Sequence, residues 1–587
     1  MAVTDRRRRR LALVLGIVAA ALLLGGAATV VVVREFLCTN VMLYSSDEKA
    51  VQLREIADRY RWSGRKVDDR CVSVTIEVTG SRATADALAG DPATPWPIDA
   101  DPPHLWSPSS SVWVQRLRDS IAGKQGRVRT VGDAPSLATS PVVIAMPEPM
   151  ARALGWPEAA IGWRDLLALA RDPDGWGAKG HREWGAFKLG KTNPAESTTG
   201  LLATTATATA LAGTGQALTL GDLPRVAEDL RALERSTVHY GRYVETFVGN
   251  LYQADREGKG LDYVSAIAME EKVLLDYNKG ILLADPPRTV AKPSPLAAIF
   301  PSDGTMVSDN PALVVDAPWV GDTHRRAAQD FLNFAQENKQ VFLDAGFRDG
   351  EGNSGAAHGP GSGTIARPAF RPVRTPNTAV IEGVRSLWQQ TRRRANILLV
   401  VDVSESMRAE VRAKVTRLDL AKAAAKLVPA QLAADDQLGL WEFSSEVGAD
   451  PLPWRQLAEI GAVDVGTPKY VNAIDNLKPI GQTALYRTTR DAVSAVADRF
   501  DPSRINAVIL LTDGKNEPPD EDALTRLLAE LGSTGQDRVV RVFTIAYGVE
   551  ADAGKLERIA LATRARPYDA KDATTIEGVM LDVLSNF

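Results

Sequence analysis

The stretch Asn396-Ile397-Leu398-Leu399-Val400-Val401-Asp402-Val403-Ser404-Glu405-Ser406-Met407 decides the fold. Ile397 to Val401 is a continuous, β-branched-rich apolar run, the pattern of a strand covered on both faces in a parallel sheet. It ends in three oxygen-bearing side chains at alternate positions, Asp402, Ser404 and Ser406. Where a strand opens into a loop, such side chains can converge on a hard cation that takes oxygen ligands at about 2.1 Å. For the pentapeptide alone, an Asp/Ser turn bonding its own backbone is an equal reading.

Working outward, residues 395–587 alternate strand and helix patterns. Gln437–Phe443, Ile505–Leu511 and Val540–Ala546 read as strands, and Val415–Leu432, Leu485–Arg499, Asp520–Leu531 and Thr575–Leu584 as helices. This order predicts an open, doubly wound α/β sheet, in which ligands bind at the carboxyl ends of strands. Two more oxygen clusters fall there: Gly481-Gln482-Thr483 before a helix, and Leu511-Thr512-Asp513-Gly514 at a strand end.

Asp402, Ser404, Ser406, Thr483 and Asp513 together resemble the metal-ion-dependent adhesion site of von Willebrand factor type A (VWA) domains. The resemblance implies that Ser404, Ser406 and Thr483 ligate Mg²⁺, or another divalent cation such as Mn²⁺ or Ca²⁺. Asp402 and Asp513 would act directly or through water. Hydroxyls are neutral ligands, so a site with two carboxylates leaves its cation able to take an anionic oxygen from outside. A protein partner presenting an Asp or Glu carboxylate is the expected occupant. Glu405 departs from the family's glycine; it would either crowd the site or add a carboxylate behind the ligands. A domain that keeps the fold but not the ion is the alternative.

Upstream, residues 37–350 also alternate strands with amphipathic helices, which predicts mainly parallel sheets. Ser140-Pro141-Val142-Val143-Ile144-Ala145-Met146, Gly155-Trp156-Pro157, and Lys188-Leu189-Gly190-Lys191-Thr192-Asn193-Pro194 resemble the bacterial extracellular solute-binding proteins of type II periplasmic-binding-protein fold. Ile299-Phe300-Pro301-Ser302-Asp303-Gly304 and Gly346-Phe347-Arg348 are similar to the same family. The resemblance implies two α/β lobes around a solute cleft that closes by hinge motion. Carried over, Ser46, Ser81, Ser109, Asn193 and Ser197 are cleft candidates, Trp106 a stacking surface and Glu270 a polar contact. As plain local structure, the same serines are helix caps, the tryptophan is core and the glutamate a solvated helix face.

The N-terminus places the chain. Arg6 to Arg10 precede an uncharged apolar stretch, Leu11 to Val33. A helix of about 23 residues rises roughly 34 Å, enough to cross a bilayer core of about 30 Å. The positive-inside rule puts residues 1–10 in the cytoplasm, 11–33 across the cell membrane as a single-pass signal anchor, and the bulk of the chain outside. A cleaved signal peptide is the rival, with a shorter apolar region. The chain's two cysteines, Cys38 and Cys71, flank a strand–helix–strand pattern and can form a disulfide outside the cell. Lipid modification of Cys38 is the other reading, although Glu35, Phe36 and Leu37 are not the small residues it needs. Residues 351–394, rich in Gly, Ser and Pro at first, read as a linker and a lead-in helix at Thr378 to Gln390.

Composition narrows the function classes. The 587 residues are 45% hydrophobic and 24% charged, with a net charge of −4, which suits folded domains and argues against a nucleic-acid partner. Gly359-Pro360-Gly361-Ser362-Gly363-Thr364 lacks the lysine of a phosphate loop, and the five histidines have no metal-ligand spacing. With no nucleophile–base pair in evidence, the expected protein is not an enzyme. It is a membrane-anchored α/β surface protein that joins a solute-binding module to metal-dependent recognition; its abundance of Ala and Arg resembles actinobacterial proteins. The alternative is the substrate receptor of an ABC-type importer, with the C-terminal domain as a docking module.

Overall fold

The computed structural model describes residues 38–587 apart from 125, 214–216, 283–287, 360, 366–367, 369, 448–451 and 534–537. The expected anchor at 11–33 and its basic flank lie outside the described residues. Among the described residues no helix is long and apolar enough to cross a membrane.

The chain divides into two compact units, the first running up to Thr139 and including Asp309–Ala356, the second comprising Ser140–Ser308 and Ala357–Phe587. In the first unit, β1 (Thr39–Ser45), α1 (Ala50–Trp62), β2 (Arg70–Val78), α2 (Ser81–Ala89), β3 (Leu105–Ser107) and α3 (Ser111–Ile121) alternate. β1 lies between β2 and β3, parallel to both, and Leu313–Val314 adds an antiparallel strand beside β3. Val41 and Leu43 of β1 pack on Leu53, Ile56 and Tyr60 of α1 and on Phe331 of the helix Asp322–Glu337. The parallel register sets Thr39 opposite Val72, so the two cysteines fall at the start of adjacent strands, and Cys38 is bonded to Cys71 with Cα atoms 4.6 Å apart.

The second unit holds two sheets. One contains β4 (Ser140–Pro147), β5 (Leu189–Lys191), β6 (Ala266–Glu270) and β7 (Leu296–Ile299). Here the expectation of mainly parallel pairing is corrected: β4 is antiparallel to both β6 and β7, and only β5 runs parallel to β6. A fully apolar strand reports burial on two faces, not the direction of its neighbours. Two helices of this lobe matter below, α4 (Thr198–Ala212) and α5 (Leu223–Glu234).

Residues 357–373 correct a second expectation. The described residues among them do not span open space as a linker: Gly363 O accepts from Ala298 N at 2.7 Å and Ser362 O from Asn278 Nδ2 at 2.8 Å, which lays this part along the lobe. Gly363 has φ of 83°, and a Cβ there would meet Leu296 O at 2.1 Å. The glycine marks close packing rather than flexibility. α6 (Thr378–Thr391), capped by Asn377, then buries Val380, Val384 and Leu387 against Leu223, Val226 and Leu230 of α5.

The other sheet has the order β10-β9-β8-β11-β12-β13, where β8 is Arg394–Asp402, β9 Gln437–Phe443, β10 Trp454–Ala462, β11 Arg504–Thr512, β12 Arg541–Tyr547 and β13 Pro567–Ala570. All neighbours are parallel except edge strand β10, which is antiparallel to β9. The alternation of side chains across a strand explains the unbroken apolar run of β8. Ile397, Leu399 and Val401 pack toward α7 (Arg417–Gln431) and α10 (Ile576–Leu584), while Leu398 and Val400 pack toward α8 (Leu485–Asp498) and α9 (Glu521–Ser533).

This α/β domain is packed onto the preceding lobe. Tyr240 enters its core and meets Trp388 edge-on with ring centroids 5.1 Å apart. Tyr240 N donates to Asn586 O at 3.0 Å, and Asn250 Nδ2 to Arg564 O at 3.1 Å. Beneath Tyr240 is a buried ion pair, Lys191 with Glu234, in which Glu234 Oε2 also accepts from Tyr240 Oη at 2.7 Å.

Candidate metal centre

The carboxyl ends of β8 and β11 lie side by side, and β8 is where the chain order reverses, with β9 on one side and β11 on the other. A crevice at such a reversal is the ligand position of doubly wound sheets. Five side chains meet there. Ser404 Oγ lies 3.0 Å from Ser406 Oγ, Thr483 Oγ1 donates to Ser404 Oγ at 3.1 Å, and Ser406 Oγ donates to Asp513 Oδ1 at 2.6 Å. Asp402 Oδ1 accepts from Ser404 N at 2.8 Å, and its Oδ2 from Thr512 Oγ1. Asp402 and Asp513 are fully buried. Burial first, and then the charge of Asp513, push the Asp402 carboxyl up to about 7; burial likewise raises Asp513.

Burial raises both carboxyls because it penalises their charge, and a cation bound beside them would favour the ionised form. The donor set consists of hydroxyl and carboxylate oxygens alone, which fits Mg²⁺, Mn²⁺ or Ca²⁺ and not a soft metal. Ser404, Ser406 and Thr483 would hold such an ion, with Asp402 and Asp513 supplying charge. Bound there, the ion would act as a Lewis acid toward an incoming anionic oxygen. Among the described residues no group of three or more His, Cys, Asp or Glu side chains is placed to hold a metal ion. This centre escapes that description because three of its five members are hydroxyls.

Glu405 does not crowd the centre. Its backbone N donates to Gly481 O at 2.9 Å, while its exposed carboxylate pairs with Arg408, Nε to Oε2 2.9 Å. Gly514 has a stricter role, since a Cβ there would meet Thr483 Oγ1 at 2.3 Å. Gly514→Ala should therefore push Thr483 out of the cluster and weaken divalent-cation binding about tenfold, read by calorimetry, with little change in melting temperature.

Arg417, the first residue of α7, was not singled out by the sequence. A capping box between Thr416 and Asp419 fixes the start of that helix. It sets Arg417 Nη1 2.8 Å from Asp513 Oδ2 and 3.0 Å from Glu550 Oε2. A guanidinium at this point offsets part of the charge a metal would see. Arg417→Gln should tighten Mg²⁺ binding by about tenfold, since one unit charge at this range is worth about 1 kcal/mol or more. An unchanged or weaker affinity would show that the arginine supports the site.

The solute-site candidates divide between the units. In the first, Ser81 Oγ lies 3.2 Å from Ser109 Oγ and accepts from Ser109 N at 3.1 Å. Ser46 accepts from the buried Lys49, Nζ to Oγ 2.6 Å, and Lys49 also reaches Pro108 O at 3.1 Å. Lys49 was missed because a lysine following Asp47 and Glu48 reads as a solvated helix start. Trp106 is corrected: it is buried within β3, beside Leu313, and presents no stacking face.

In the second unit Asn193 is also corrected. Its Nδ2 donates to Ser585 O at 2.9 Å and its Oδ1 accepts from Ala195 N at 2.9 Å, so it fastens the C-terminal residues rather than a solute. Ser197 caps α4 through Gly200 N at 3.4 Å, and Glu270, buried at the end of β6, accepts from Thr199 Oγ1 at 3.4 Å.

Residues 41–348 match the family model for bacterial extracellular solute-binding protein, over half of the chain, and the protein belongs to that family. Residues 397–515 match the von Willebrand factor type A domain. Two Mycobacterium tuberculosis proteins, the uncharacterized proteins Rv1836c and MT1884, are each 24% identical over 530 residues, 87% of this chain and 71% of theirs. Among solved structures, a von Willebrand factor type A protein from Catenulispora acidiphila is 20% identical with a TM-score of 0.28, over 33% of this chain and 42% of that one. A periplasmic thiamin binding protein is 10% identical with a TM-score of 0.38, over 60% of this chain and 96% of that one.

Proposed function

We propose that this chain is a non-enzymatic, membrane-anchored surface binding protein whose VWA domain grips a carboxylate of a protein partner through a divalent cation. The supporting observation is the gathering of Ser404, Ser406 and Thr483 with only two carboxylates, Asp402 and Asp513, at the carboxyl edge of the sheet. A cation held mainly by neutral hydroxyls keeps enough electrophilic character to take one more anionic oxygen. The solute-binding module would add recognition of a small molecule, with Ser46, Lys49, Ser81 and Ser109 as polar contacts of the first unit.

The test is capture of surface proteins by the full chain in detergent, with Mg²⁺ or with EDTA, followed by mass spectrometry. A partner retained with Mg²⁺, released by EDTA and absent with Asp402→Ala is the expected result. A partner held equally well in EDTA would refute cation-bridged recognition.

A further inference from the structure

At the opposite edge of the VWA sheet, below the amino ends of β8, β11 and β12, a cavity of about 320 Å³ opens between this domain and the preceding lobe. With β8 nine residues long, this edge is roughly 30 Å from the candidate metal centre. Lys188, Arg235, Arg393, Arg504, Arg541 and Arg564 all line it, and Asp262 is the one acidic lining residue.

The pairing of these cations is unusual. Arg393 Nη1 and Nη2 donate to the carbonyls of Thr237 and Pro502, each at 2.7 Å, and its buried Nε has no acceptor. Arg541 is 6% exposed; its Nη1 donates to the carbonyl of Arg564, and its guanidinium carbon is 5.9 Å from the centre of the Tyr263 ring. Arg504 pairs with Asp501 at 3.1 Å, and the charge of Asp501 also acts on Arg393, but among the described residues Arg235, Arg393, Arg541 and Arg564 form no ion pair with a carboxylate. Burial, with Arg564 and Arg393 nearby, pulls Arg541 down to about 10.

Buried guanidinium groups are ordinarily matched by carboxylates, because carbonyl dipoles do not replace a counter-charge. Here the charge is gathered around open space instead. Arginine forks suit the oxygens of a phosphate, and the cavity has more room than a phosphate alone fills. We propose that this cavity binds a phosphate group, free or as the monoester of a small organic molecule, between the solute-binding lobe and the VWA domain. Such a ligand would touch both modules at once and hold them together.

The experiment is calorimetric titration of the full chain in detergent at constant ionic strength, with EDTA present so that no metal–phosphate complex contributes. Inorganic phosphate and phenyl phosphate are the probes, and sodium chloride is the control. Saturable one-site binding of phosphate is expected, weakened at least tenfold by Arg541→Met. Arg235→Ala is the second variant, because that exposed side chain has no hydrogen bond or ion pair among the described residues and its loss leaves the fold intact; a weakening of about threefold or more is expected. Tighter binding of phenyl phosphate identifies a monoester as the ligand, and equal binding identifies free phosphate. No saturable binding of either probe, or equal binding in the Arg235→Ala protein, would overturn the proposal and leave the arginines as fasteners between modules.

Discussion

Replacing Ser404 and Ser406 together by alanine should weaken Mg²⁺ or Mn²⁺ binding by about 100-fold or more, measured by calorimetry on the full chain. Disturbing residues that merely support a metal ligand costs about 10- to 100-fold, so the loss of two ligands sets that as a floor. The variant should fold. The two hydroxyls bond each other, Thr483 and Asp513, and a hydrogen bond of this kind contributes only about 1 kcal/mol net. Affinity lost together with the melting transition would point to misfolding instead, and affinity kept would mean that the ion sits elsewhere.

The second large effect concerns the seam between the lobe and the VWA domain. Glu234 is 1% exposed and holds Lys191 on one oxygen and Tyr240 Oη on the other, while Tyr240 Oη also accepts from Arg393 N at 2.9 Å. Glu234→Ala strands the buried ammonium of Lys191 and should destabilise the protein by about 3–5 kcal/mol, read from urea denaturation. An apolar pair, Lys191→Met with Glu234→Leu, should recover most of that loss, because the ion pair itself contributes little net stability once its desolvation is counted. A cost below about 1 kcal/mol for Glu234→Ala would mean that water reaches the pair.

Much of this organisation is legible in the sequence because it rests on local signals. The unbroken apolar run of β8 announces a strand covered on both faces, and its odd and even residues do pack into different cores. The oxygen clusters at Asp402, Thr483 and Asp513 stand out because each ends a strand or opens a helix. The edge strand β10 left no such mark, since a half-exposed strand has no continuous apolar run.

Partners across long separations are equally silent. Nothing around Asn193 predicts that it would bond Ser585, 392 positions away. The basic cavity collects its arginines from segments as far apart as Arg235 and Arg564, each of which alone reads as an ordinary surface charge. Glycine misled in the opposite direction. In the stretch around Gly363 it looked like a flexible linker, whereas close approach to Leu296 is what requires it.

Anomalous diffraction from crystals of the protein grown with Mn²⁺ locates the divalent ion directly. One peak among the side-chain oxygens of Ser404, Ser406 and Thr483 is the predicted result. No peak there at saturating Mn²⁺, or a peak only at some other place, would contradict it.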